Sequence, residues 1–111
     1  MALAGQRLWQ ILPLTPPGPG DSPYASPSAF ASNPLLISLP WLAGDGLLDA
    51  GTLERHPAFP DYTVDFAAVA AWKLPLLREA FSAYRRGAAG NLRPAFEAFR
   101  AEAAGWLDDY A

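Results

Sequence analysis

Hydrophobic residues change their spacing about half-way along the chain. In the first part they form two short, nearly continuous runs, Leu8–Leu12 and Leu35–Leu39, each followed by a proline. Such runs are typical of buried strands in a parallel sheet, so we expect a strand over Trp9–Leu14 and a second short extended piece at Leu35–Leu39. Between the two runs, eight prolines and glycines fall within residues 13–27. That density excludes a regular helix or a central strand and predicts an irregular loop.

The second part of the chain has the spacing of helices. Pro40 suits the first position of a short helical turn, which Gly44 would end. Further along, Thr63 or Asp65 can cap a longer helix that starts near Phe66 and continues through a run of alanines.

Pro75 is expected to break or kink this helix and to begin a fresh one, because proline lacks the N–H that a helix interior needs. The fresh helix would carry Leu77, Phe81 and Tyr84 on one face. Gly87, which follows two arginines, would end it.

A last helix is predicted near the end of the chain, with Asn91 as its cap and Pro94 in its first turn. Its apolar stripe consists of Phe96, Phe99, Ala103, Trp106 and Tyr110. Three tryptophans lie on apolar helical faces and are expected in the core: Trp41, Trp72 and Trp106.

Composition excludes several classes of protein. The 111 residues carry a net charge of −3 and are 51% hydrophobic, which excludes a disordered acidic tail and disfavours a nucleic-acid partner. The absence of cysteine excludes disulfide scaffolds and thiol nucleophiles, and a lone His56 excludes a histidine-rich metal site. Every apolar stretch is too short to span a membrane, and no signal peptide is recognisable, so we expect a cytoplasmic protein.

The segment Gly20–Tyr24 carries the most informative chemistry. Asp21 supplies a carboxylate, Ser22 a hydroxyl and Tyr24 an aromatic face, and this mixture binds sugars through their hydroxyl groups and C–H faces. The alternative is a prolyl turn in which Asp21 and Ser22 only satisfy local backbone N–H groups, and composition alone favours that interpretation. The adjacent pair Asp108–Asp109 does not supply a catalytic dyad, because neighbours on a helix point about 100° apart.

Eight segments, in order and spacing, resemble the amylomaltases, the bacterial 4-α-glucanotransferases also called disproportionating enzymes. The resemblance covers nearly the whole chain but only an early portion of the family's length. The segments are Leu8–Leu14, Gly20–Tyr24, Ser26–Ala31, Asn33–Ile37, Gly46–Leu48, Val64–Phe66, Leu76–Phe81 and Trp106–Ala111.

This resemblance implies part of a (β/α)8 TIM barrel whose substrate is an α-1,4-glucan or maltodextrin, with no separate cofactor and no metal. Residues 1–39 would form an early barrel strand and a substrate loop, and residues 40–111 a mainly helical insertion. In relatives the tyrosine of the loop packs near the sugar being cleaved and the serine contacts a hydroxyl, roles that pass to Tyr24 and Ser22, with Asp21 in support. The expected structure of the chain itself is mainly α-helical, with one or two short strands and a long Pro/Gly-rich loop.

The same resemblance implies that the chain alone is inactive. The family's nucleophilic Asp, its acid/base Glu and its third essential Asp lie later in the polypeptide, and both ends of this chain look like cuts through a larger fold. Pro19 stands where relatives often carry an aromatic residue, which removes an auxiliary glucan contact. The alternative function is a non-catalytic carbohydrate-binding or structural module.

Overall fold

Among its described residues, the first part of the chain contains short turns and no strand. The computed structural model describes Gly5 and residues 7–111. Within them, the only regular elements before residue 39 are 3-10 turns at Pro19–Asp21 and Pro34–Leu36.

The strand predicted over Trp9–Leu14 is therefore wrong for the part of the chain that the structure describes, and of the extended piece predicted at Leu35–Leu39 only Ile37 and Ser38 have extended backbone angles. Leu8–Leu12 has no strand beside it to pair its backbone N–H and C=O groups, and Trp9 is 77% exposed. The start of that piece belongs to the turn at Pro34–Leu36, because the Asn33 side-chain oxygen accepts a hydrogen bond from Leu35 N at 2.9 Å. The predictions that the regular structure is mainly helical and that a long Pro/Gly-rich loop precedes it are confirmed.

Two short helices, α1 (Leu39–Gly44) and α2 (Ala50–Leu53), follow the loop. Ser38 caps α1, since its Oγ accepts a hydrogen bond from Trp41 N at 3.4 Å. Pro40 occupies the first turn, so the helical turn predicted there is confirmed.

The longest helix, α3 (Phe66–Arg85), begins where the sequence predicts. Asp65 is its cap, with Oδ1 accepting a hydrogen bond from Ala68 N at 2.9 Å. The helix ends before Gly87, whose φ of 105° lies in the region that glycine adopts most easily.

Pro75 does not start a fresh helix, and α3 continues through it. The missing N–H and the ring of proline disfavour this position, but burial on both sides of it compensates. Trp72 before the proline and Leu76 and Ala80 after it all pack in the same hydrophobic cluster. Tertiary packing therefore overrides the local preference for a break.

The last predicted helix is two helices. A 3-10 turn at Gly90–Leu92 contains Asn91, so Asn91 is not the cap, and α4 (Arg93–Ala103) follows with Pro94 in its first turn. The chain then turns at Gly105 and continues as α5 (Leu107–Tyr110). Glycine is a poor helix former, and Trp106 N donates to Ala103 C=O at 3.0 Å to close the turn.

A small core joins α1, the turn after it and α3, and consists of Leu39, Leu47, Leu48, Leu76 and Ala80. Trp72 packs against this core and Trp106 is half-buried, but Trp41 is 80% exposed, so the expectation that it lies in the core is wrong. Its helix, α1, spans only six residues and turns its other apolar side chains inward.

The chain is more open than a compact domain of its mass. Its accessible surface is 8617 Å², whereas a compact monomer of 11.9 kDa exposes about 5,900 Å². Its Cα radius of gyration is 16.6 Å, against about 13 Å for a compact domain of this length. None of the helices in the described residues combines the length and apolar character needed to cross a membrane.

Candidate functional site

The segment from residue 14 to residue 33, here called the Pro/Gly loop, is closed at its base by one backbone hydrogen bond. Asn33 N donates to Leu14 C=O at 2.8 Å. Inside the loop, Gly18 N donates to Ser22 C=O at 2.9 Å. Asp21 has a φ of 57°, a left-handed conformation that aspartate tolerates better than most residues. The loop is thus held by its own backbone contacts without helix or sheet.

Two serines stiffen the far side of the loop. Ser26 Oγ donates to Ser28 C=O at 2.7 Å. Ser28 Oγ accepts hydrogen bonds from Phe30 N at 3.2 Å and from Ala31 N at 3.0 Å. Ala31 is buried, so these bonds fix the loop where it meets the rest of the chain.

A cleft of about 370 Å³, here called the Tyr24 cleft, opens on the Pro/Gly loop. The Tyr24 side chain is 77% exposed and forms one wall, beside the hydroxyl-bearing residues Thr15, Ser26 and Ser28. An aromatic face next to hydroxyl groups suits a sugar ring, whose C–H face is apolar and whose rim donates and accepts hydrogen bonds. The remaining lining residues are Pro13, Pro23 and Ala29.

The structure does not gather all three predicted site residues in this cleft. Asp21 is exposed and Ser22 half-buried, and neither lines the cleft with Tyr24. Ser22 contributes through its backbone, because its C=O accepts from Gly18 N and, at 3.4 Å, from Ala25 N. Sugar contacts by Tyr24, Ser22 and Asp21 stay a prediction.

Sequence reasoning did not single out Thr15, Ser26 or Ser28. The signal available was the alternation of Tyr24, Ser26 and Ser28 along the chain, which puts polar groups at every second residue. In a loop without regular structure, such spacing does not determine which way the side chains point. Only the folded loop brings these residues together.

Comparison with known proteins shows which family the chain resembles. A family model described as 4-alpha-glucanotransferase matches residues 1–111. A 4-alpha-glucanotransferase of Thermus thermophilus is 52% identical over 108 residues, which are 97% of this chain and 21% of that protein. The chain belongs to the 4-alpha-glucanotransferase family.

Other family members match along the same stretch. The 4-alpha-glucanotransferase of Synechocystis sp. is 41% identical over 111 residues, all of this chain and 22% of that protein. A chloroplastic/amyloplastic 4-alpha-glucanotransferase of Solanum tuberosum is 42% identical over 82 residues, 70% of this chain and 14% of that protein. The chain thus spans about a fifth of the length of the relatives that match along most of it. The expected family resemblance is confirmed.

The described part of the chain brings no pair of carboxylates to the Tyr24 cleft. Asp108 and Asp109 are exposed on α5 and diverge there. His56 is exposed, with Nδ1 2.8 Å from Pro57 C=O and its ring stacked on Phe59. Nor do residues 7–111 contain a group of three or more His, Asp or Glu side chains placed to hold a metal ion.

A second cleft adjoins the first and shares Ser28 with it. Trp106, Asp109 and Tyr110 form its other wall, and its volume is about 430 Å³. The Trp106 ring stacks on Phe30, with centroids 6.0 Å apart and planes at 27°. Through this contact the Pro/Gly loop rests on the end of the helical segment.

The helical half has an apolar groove of about 470 Å³ between α3 and α4. Tyr84 is its one polar side chain among the lining residues, and its ring meets Phe96 edge-on at 5.3 Å. The groove offers a sugar few hydrogen-bonding partners, so it suits a sugar less well than the Tyr24 cleft.

Proposed function

We propose that this chain is the part of a 4-α-glucanotransferase that carries a glucan-contacting loop. The full enzyme would transfer α-1,4-glucan segments between maltodextrins. The observation that carries the proposal is the 52% identity to a protein named 4-alpha-glucanotransferase over 97% of the chain. The exposed ring and the hydroxyl groups of the Tyr24 cleft support a sugar as the ligand.

The reaction we propose is retaining transfer. A carboxylate attacks C1 of the donor sugar while a carboxylic acid protonates the departing 4-oxygen, and a glycosyl ester forms. The 4-OH of an acceptor then attacks C1, gives its proton to the same acid/base group and releases the carboxylate. Both steps need two carboxyl groups about 5–5.5 Å apart, which we assign to later parts of the polypeptide.

The residues of this chain would bind and orient the sugar. The Tyr24 ring packs on its C–H face, and Ser22 and Asp21 contact its hydroxyl groups when the loop meets the donor site. No separate cofactor takes part. Holding the reacting groups in register is worth several orders of magnitude in rate, so a binding loop contributes to turnover without a catalytic acid.

The architecture we propose is a (β/α)8 barrel in which residues 1–39 supply an early strand and the substrate loop, and residues 40–111 a helical insertion. The exposed Leu8–Leu12 run supports this, because neighbouring strands would cover it. The excess of exposed surface supports it as well. We assign the protein to starch or glycogen metabolism in the cytoplasm.

A chimera tests the function directly. The matching fifth of the Thermus relative is replaced by this chain, and glucose and longer maltodextrins released from maltotriose are measured. We expect transfer activity, a loss of about 10- to 100-fold in kcat/KM for Tyr24→Ala, and a smaller loss for Tyr24→Phe, which keeps the ring. A folded chimera without activity, or an Ala variant with unchanged kinetics, would refute the corresponding part of the proposal.

The 111 residues alone should release no glucose from maltotriose, because no pair of acids faces their cleft. Release of glucose together with longer products, abolished by Asp21→Ala, would place a new mechanism in the loop. Binding of maltotriose by the chain together with an inactive chimera would favour the non-catalytic carbohydrate-binding module.

A further inference from the structure

Lys73 of α3 reaches the base of the Pro/Gly loop. Its Nζ donates a hydrogen bond of 2.6 Å to Leu35 C=O, 38 residues earlier in the chain. Asn33, two residues before Leu35, closes the loop through its backbone N–H and caps Leu35 through its side chain. The three residues Asn33–Leu35, here called the neck, therefore join the loop to the helical half.

This contact is an unusual use of a charged group. Lys73 is the single lysine beside seven arginines in the sequence, and its side chain is half-buried. Burial lowers its pKa from the ordinary value, because the ammonium loses water. Its hydrogen-bond partner is a neutral carbonyl, whereas the one salt bridge among the described residues joins Arg100 and Glu97.

The ammonium loses water to make this bond and gains no carboxylate partner, so desolvation offsets part of what the bond contributes to stability. An apolar side chain of similar length would fill the same space without that cost. What the ammonium supplies is a directed, charge-assisted hydrogen bond to one carbonyl at one place in the chain. A bond of that kind fixes the position of Leu35 relative to α3.

We propose that Lys73 is a positioning residue for glucan binding, which fixes the neck to α3 and thereby sets where the Tyr24 ring stands. The inference rests on the proposed function. It extends that function by giving the helical segment a role in the site: α3 holds the loop at its neck, and the Phe30–Trp106 stack holds it on the far side. With the neck released, the loop pivots on the second contact and the Tyr24 cleft changes shape.

One test is structural and independent of activity. Amide and aromatic NMR shifts are compared for the chain and for Lys73→Met, which keeps the apolar stem and removes the donor. We expect shifts at Asn33 and Leu35 that extend to the Tyr24 ring. Arg78→Met, an exposed cation on the same helix, should leave the loop unchanged. Shifts confined to the neck would overturn the proposal.

A second test uses the kinetics of the chimera. Lys73→Met should lower kcat/KM for maltotriose by about 10-fold, with Lys73→Arg restoring most of it, because the arginine keeps a donor. In a Tyr24→Ala background the same change should cost at most about twofold, since the ring it positions is gone. Full additivity, or a loss explained by a lower melting temperature alone, would contradict a positioning role.

The two proposals fail in different ways. An inactive wild-type chimera counts against the enzyme function, and the NMR comparison still decides whether Lys73 sets the loop. An active chimera that tolerates Lys73→Met without loss removes the positioning role and leaves the enzyme function standing. If Lys73→Met does not fold, Lys73→Arg and Lys73→Gln are compared instead; the arginine should keep most of the kcat/KM, and the glutamine, whose neutral amide is on a shorter side chain, should lose up to about 10-fold.

Discussion

Gly18 lies where the Pro/Gly loop folds back against Ala25. A Cβ built on Gly18 would overlap the Ala25 carbonyl oxygen, which is backbone and cannot swing away. Gly44, at the end of α1, has open space around its Cβ position. The same chemical change is therefore expected to have opposite effects at these two glycines.

Gly18→Ala should force the loop apart and lower the free energy of unfolding by about 1–3 kcal/mol, as overpacking does elsewhere. Gly44→Ala should be neutral or stabilising by about 0.4–1 kcal/mol, because it reduces the entropy of the unfolded chain. Urea unfolding of both variants measures the difference. Equal stabilities would show that the loop does not keep its fold at Gly18.

Among the elements, α3 contains a proline in its interior, a position where proline is locally disfavoured. Pro75 is exposed in the middle of a 20-residue helix, so its ring adds no buried contact there. The helix stays whole because side chains on both sides of the proline share one core. Local preference and tertiary packing oppose each other at this position.

Pro75→Ala should therefore raise the free energy of unfolding by about 1–3 kcal/mol, since it restores an N–H donor and removes a steric conflict that costs about 3 kcal/mol in helices. Some of the gain is offset by the freer unfolded chain. Thermal or urea unfolding measures it, with Arg78→Ala as an exposed control on the same helix. A destabilised Pro75→Ala variant would mean that the proline shapes the helix for packing.

At the scale of the whole molecule, apolar side chains remain uncovered. Leu8, Trp9, Phe30 and Trp41 are each at least 71% exposed, and the buried cluster contains only five residues. Apolar surface left exposed to this extent is typical of places where a chain contacts a ligand, a membrane or other protein. This agrees with a chain that spans about a fifth of its relatives' length.

Small-angle scattering of the 111-residue chain should give a radius of gyration near 16.6 Å, well above the value of about 13 Å for a compact domain. The reason is that the five-residue core is too small to pack against most of the segment before residue 39. Dilution controls separate monomer size from self-association. A monomer near the compact value would mean that the exposed apolar residues collapse onto one another.

The sequence by itself determined the features that depend on neighbours along the chain. These are the start of α3 near Phe66, its end before Gly87, the turn opened by Pro40 and the irregular Pro/Gly loop, which follow from side-chain hydrogen bonds and backbone restrictions of a few residues. The family followed from ordered motifs along the whole chain.

Tertiary structure decided what depends on distant partners. Apolar content alone does not make Leu8–Leu12 a strand, because a strand exists only beside another strand that takes its hydrogen bonds. Packing on both sides of Pro75 kept α3 continuous. The Tyr24 cleft, with its serines, and the bond from Lys73 to Leu35 come from contacts within a folded loop and across 38 residues, which no local spacing encodes.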